Sequence, residues 1–197
     1  MRKKKRERKN NINIKKDFKE ATKYISESKN YIYSVIMIFV ASTIVGFFLS
    51  DQLKFIDKIL EQIIDKTVGL NTTELIFFIL QNNFQSALFG LVLGIALGIL
   101  PIINALTNGV LLGYVLERTY PILGASVLFR LIPHGVFELP AIFISLGLGL
   151  KLGLGLFHSS KELKRRFFQS LNTFLMVIVP LLIIAAIIEG ILIGLSS

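Results

Sequence analysis

The sequence predicts an all-α, polytopic helical membrane protein with about five transmembrane helices, an amphipathic interfacial helix and a short re-entrant or broken segment. Three observations lead there. The 197 residues are 53% hydrophobic, with a mean hydropathy of +0.66, above the ~45–50% apolar content of a soluble domain. The apolar residues gather in long runs, and runs of about 18 or more mark membrane-spanning helices. Several such runs in one small chain are more than a single soluble core encloses. The charge is also segregated: residues 1–30 hold twelve Lys/Arg against four Asp/Glu, nearly the whole +9 net charge. It stops where the first apolar run begins, as a juxtamembrane polybasic tail facing anionic lipid does on the cytoplasmic side. Residues 1–30 therefore read as a basic cytoplasmic tail and 31–197 as the transmembrane domain. The tail lacks interleaved aromatics before Phe18, which argues against nucleic acid as its partner.

Span one is expected from about Tyr31 to Ser50, with Tyr31 and Tyr33 as interface anchors. The run is too long for a signal-peptide core, and no small-x-small cleavage pattern follows it. In residues 51–68, Ile56, Ile59, Leu60, Ile63 and Ile64 recur at helical spacing opposite Asp57, Lys58, Glu61 and Asp65. That is the pattern of an amphipathic helix lying in the outer interface. Asn71-Thr-Thr-Glu74 fits a capping box for the next helix. The same residues form a glycosylation sequon, and the cap is the plainer reading so close to a span.

Span two is expected from about Glu74 to Leu100 and carries Gly90, Gly94 and Gly98 at four-residue spacing. Such a stripe permits close backbone approach of another helix, and we expect it to join two copies of the chain. Pro101 opens a third span, about Ile102 to Leu116, with Gly109 and Gly113 on it. Residues 122–132 are apolar but too short to cross, which suggests the re-entrant or broken piece. Pro133 suits the first turn of span four, about Pro133 to Phe157, and Pro140 is expected to kink it. Leu146 to Leu156 alternates Leu and Gly with period two, which suggests a strand. An isolated strand cannot cross a bilayer, so a packed glycine-rich helix is preferred. Residues 158–170, with Lys161, Lys164, Arg165 and Arg166, read as an inner loop before span five, about Leu171 to Leu195, whose small face holds Ala186, Gly190 and Gly194. The Lys/Arg distribution places the N-terminus in the cytoplasm and the C-terminus outside a cell membrane.

Ionisable residues at membrane depth are costly and are a functional hypothesis by default. Arg130, His134 and Glu138 follow one another at four-residue spacing, and Glu189 lies deep in span five. Asn82, Asn83, Asn104 and Asn108 supply uncharged partners. These eight are expected to form an intramembrane polar network, with Arg130 against Glu138 or Glu189 and His134 bridging. Such a network locks helix packing, conducts a substrate or proton, or holds a metal. The metal reading is the poorest, because only two histidines exist and no HExxH pairing occurs. No cysteine is present, which excludes thiolate metal sites and cysteine nucleophiles. No catalytic residue, metal site or cofactor is assigned.

Pro133-His134-Gly135 followed by Glu138-Leu139-Pro140-Ala141-Ile142 resembles the central signature of the stage II sporulation protein M family. Asn108-Gly109 with Gly113, Asn82-Asn83 with Gly94, and Ala185-Ala186 with Glu189 resemble its other elements, so the likeness covers about residues 31–195. The resemblance implies a helical integral membrane protein, not an enzyme, that acts as a scaffold for partner proteins in the cell envelope. Members occur outside spore formers, so sporulation itself is not implied. The family pattern also resembles the permease half of type 2 ABC exporters. That alternative implies an amphipathic N-terminal helix, here around Asp17 to Tyr33, and a separate ABC ATPase, since the chain has no nucleotide-binding loop. Expected partners are thus the bilayer, a second copy of the chain, and other membrane or cytosolic proteins.

Overall fold

The computed structural model describes residues 13–124 and 126–196, and for 126–134 and Ser196 the backbone alone. The first twelve residues, with seven of the tail's twelve Lys/Arg, lie outside the described residues. Eight α-helices are described: α1 Ile14–Glu27, α2 Lys29–Phe48, α3 Phe55–Thr67, α4 Thr72–Val92, α5 Ile99–Leu123, α6 Ser126–Gly153, α7 Ser160–Thr173 and α8 Val179–Ser196. No strand occurs among the described residues. Among the described residues, five segments are long and apolar enough to cross a membrane: Lys29–Phe48, Thr72–Ile95, Ile99–Leu123, Gly135–Phe157 and Ser160–Leu195.

The fourth of these is the axis of the bundle. Over its most apolar 18-residue stretch 67% of the residues are buried, against 28% in the corresponding stretch of each of the others. Helix α6 touches α2, α4, α5 and α8, whereas α2 pairs chiefly with α5, and α4 with α8. The Leu/Gly alternation explains this position. In a helix the pattern distributes glycines around the cylinder, so several neighbours approach the backbone at once. Gly147 faces Ile32 of α2, Gly149 faces the carbonyl of Gly90 on α4, and Gly153 faces Gly94 and Gly98. The leucines between them, Leu146, Leu148 and Leu152, are buried almost completely.

The other small residues are used in the same way within the chain. Gly109 and Gly113 of α5 lie against the backbone of α2 at Phe39 and Thr43, and Gly46 returns the contact to Val110. Gly190 meets Ile76, and Gly194 meets Thr72, which seats α8 on α4. The stripe Gly90, Gly94, Gly98 is buried against α6, at Leu146, Gly149 and Leu150. This corrects the expectation that the stripe joins two copies, because its groove is filled by the chain's own fourth span.

Several boundaries also differ from expectation. Helix α4 ends at Val92 rather than running to Leu100. A 3-10 turn over Leu93–Ile95 follows, and Leu97 (φ 57°) and Gly98 (φ 74°) reverse the chain in the left-handed region. Gly98 relieves the steric cost of that conformation, which Leu97 bears. Pro101 then lies in the first turn of α5. Gly124 (φ 57°) makes the break between α5 and α6. The short segment after it is the start of α6, which begins at Ser126, ahead of Pro133, and runs unbroken through Pro140. Residues 160–173 form a helix, not a loop. The Ser159 side chain caps it by accepting from the Glu162 N–H at 3.3 Å, and a π turn over Phe174–Ile178 carries it on into α8.

At one end of the bundle α1 lies against α7, burying Ala21 and Tyr24. At the other end α3 is tied to α5, where the Tyr114 hydroxyl donates to Asp57 at 2.6 Å. Ile59, Ile63 and Ile64 of α3 remain exposed, as an apolar face turned to lipid requires. Asn71 makes the capping box with Glu74: its side chain accepts from the N–H groups of Thr73 and Glu74, and Glu74 accepts from the Asn71 N–H at 2.8 Å.

Candidate functional site

Two polar assemblies stand out, one at each end of the central helix. The first is an open cavity of about 520 Å³ lined by α3, α4, α6 and α8. Its polar lining includes Asn82, Asn83, Glu138 and Glu189, and its apolar wall includes Ile63, Leu75, Phe78 and Ile79. The turn Thr67–Leu70 between α3 and α4 forms part of its rim. Along α4 the helical rise from Thr72 to Asn83 amounts to about 16 Å, whereas Glu189, next to Gly190, lies near the level of Ile76 and Glu138 lies three residues into the fourth span. Asn83 is 8% exposed. Glu138 and Glu189 are half-buried.

Of the eight residues expected to form one network, the structure therefore gathers four in this cavity. Asn104 and Asn108 lie elsewhere: the Asn104 amide donates to Ser86 at 3.1 Å, linking α5 to α4, and the Asn108 amide donates to the Asn104 side chain at 3.0 Å. Both belong to the face between α4 and α5. The side chains of Arg130 and His134 lie outside the described residues; their backbone belongs to the first part of α6. Among the described residues no three His, Asp or Glu side chains gather in a manner suited to a metal ion.

The second assembly lies at the α1 end and centres on Lys151, which is 6% exposed. Its Nζ donates to Ser28 Oγ at 2.9 Å and lies 3.9 Å from the centroid of the Tyr24 ring. Ser28 Oγ in turn donates to the Tyr24 carbonyl at 2.6 Å. Arg166 Nη1 donates to the Lys151 carbonyl at 2.8 Å, and its Nε to Glu162 at 3.0 Å. Arg165 holds the same carboxylate through two further bonds, of 2.7 and 2.8 Å. Burial pushes the Tyr24 phenol above its usual range, so the ring stays neutral and offers its face to the ammonium. The chain α1–Lys151–Arg166–Glu162 thus fastens α1 and α7 to the end of α6. The Asn172 amide adds a bond to the Asp17 carbonyl at 2.9 Å. Sequence reasoning assigned Lys151 no role and missed its partners. The available signal was a lone cation interrupting the Leu/Gly run.

The fold and the buried polar groups define a multi-pass helical membrane protein. The chain belongs to the stage II sporulation protein M family, whose model matches residues 35–192. An uncharacterized protein of Methanocaldococcus jannaschii is 27% identical over 192 residues, covering 88% of this chain and 86% of the relative. No solved structure matches.

Proposed function

We propose that this protein is a non-enzymatic membrane scaffold, with its N-terminus in the cytoplasm, that presents α1 and α7 as a platform for partner proteins of the cell envelope. The observation that carries this reading is the fastening of α1. A helix with Ala21 and Tyr24 buried against α7 is held to the bundle by Lys151, while Ile14 and Phe18 stay exposed. A fixed helix with an open apolar edge suits recognition by another helix or a membrane surface. Lys15, Lys16, Lys19 and Lys23 on the same helix favour the anionic leaflet beside it. The orientation rests on the positive-inside distribution.

The alternative is a permease-like subunit working with a separate ATPase. The cavity favours it, since a substrate chamber at membrane depth is what a permease needs. The close packing of Gly94 on Gly149 and of Gly153 on Gly98 favours the scaffold, because it fills the bundle interior beyond that chamber.

The test is purification of wild-type and Phe18→Glu protein from native membranes in mild detergent, with mass spectrometry of what accompanies each. The scaffold reading expects stoichiometric envelope proteins with the wild type, their loss from the variant, and no ATPase. A stoichiometric cytosolic ATPase would overturn it in favour of the permease.

A further inference from the structure

We propose that the cavity between α3, α4, α6 and α8 is a binding site for an organic ammonium ion: a compact apolar molecule carrying one protonated primary amine. The proposal is independent of the scaffold reading and goes beyond it. Its first support is Asn83. The side chain is 8% exposed, lines the cavity, and makes no hydrogen bond with any other residue. Its amide therefore faces the cavity with its hydrogen-bonding capacity unused within the chain, and a polar ligand entering the cavity meets it.

The second support is the sign of the lining. Glu189 reaches the same cavity from α8, with no cationic partner among the described residues. Ionised carboxylates only accept hydrogen bonds, and the Asn83 carbonyl accepts as well. An ammonium brings three donors and the countercharge that a carboxylate at membrane depth requires. An anion meets the Glu189 carboxylate here and is disfavoured.

The third support is size. About 520 Å³ falls within the ~300–1,000 Å³ range of small-molecule sites and far exceeds the ~30 Å³ share of one water. An inorganic cation leaves most of this space, and the wall of Leu75, Phe78 and Ile79, without a partner. An apolar body behind the ammonium fills both.

The chain has no tryptophan, so Phe78→Trp places a single reporter in the cavity wall. The full-length Phe78→Trp protein, in nanodiscs of zwitterionic lipid, is titrated with 4-phenylbutylamine, 4-phenylbutanol and 4-phenylbutyrate at neutral pH. We expect a saturable fluorescence change with the amine alone. Adding Glu189→Gln is expected to weaken it about tenfold or more, as loss of a charge-assisted hydrogen bond does. A flat amine titration overturns the proposal. So does an equal response to all three compounds, or an amine affinity unchanged by Glu189→Gln. A second measurement guards against a reporter that disturbs the site: the amine is expected to raise the melting temperature of the wild-type protein and not that of Glu189→Gln. Equal protection of both overturns the proposal as well.

Discussion

Lys151 shows how one residue can fasten two parts of the molecule. Its ammonium reaches Ser28 across 123 positions of sequence, and its carbonyl is held by Arg166. Lys151→Met keeps the length and packing of the stem but removes the donor and the cation. The loss of a hydrogen bond to a charged group amounts to about 1.5–3 kcal/mol. We expect the bundle to persist while α1 loosens, so that trypsin cuts at Lys19 and Lys23 faster than in the wild type, with the membrane-embedded fragment left intact. An unchanged rate would show that α1 is held by its contact with α7 alone. Asn71→Ala removes a cap and is expected to lower stability by about 1 kcal/mol, read as a reduced melting temperature in detergent. Both residues differ in how far sequence revealed them. The capping box is local, so its spacing was sufficient to find it. The partners of Lys151 are brought together only by tertiary packing, and no local pattern encodes them.

At the level of the element, the glycine positions were legible and their partners were not. The stripe at Gly90, Gly94 and Gly98 announces a close approach without naming the helix that approaches. The Leu/Gly run of α6 is ambiguous by period, and only the demand for internal backbone hydrogen bonds in a bilayer selects the helix. The end of α4 was misjudged because the reversal uses Leu97 at positive φ, and leucine carries no turn signal. Packing then distinguishes glycines that look alike in sequence. A Cβ at Gly94 meets the backbone of Gly149, whereas at Gly135 it meets, among the described residues, only Leu139 Cδ1 at 3.8 Å. Gly94→Ala is therefore expected to destabilise by about 1–3 kcal/mol through overpacking. Gly135→Ala is expected to be neutral or to stabilise by up to about 1 kcal/mol through helix propensity. Thermal unfolding of the two variants side by side checks the opposed signs. Equal losses would show that the α4–α6 contact yields more readily than its geometry suggests.

For the whole molecule, the five-span helical architecture could be read from hydropathy and charge. The polar cavity could be read only in part, because Asn82, Asn83, Glu138 and Glu189 come from three helices whose mutual rotation no pattern specifies. Orientation rests on charge and is directly testable, since the chain has no cysteine. Single cysteines at Lys66 of α3 and Lys161 of α7, both exposed, are to be labelled with a membrane-impermeant maleimide in intact cells. We expect labelling at position 66 and protection at 161 until the cells are opened. The reverse pattern would invert the topology.

The central place of α6 has a consequence for biogenesis. It is the fourth of the five spans to leave the ribosome, yet it fills the grooves of α2, α4 and α5. The α2–α5 pair can close as soon as α5 is inserted, whereas the glycine groove of α4 stays lined by lipid until α6 arrives. Nascent chains halted before residue 126 should therefore hold a helix pair beside an orphaned α4. Such intermediates are expected to be cleared by membrane proteases much faster than chains halted after Phe157, which pulse-chase of the two truncations would measure.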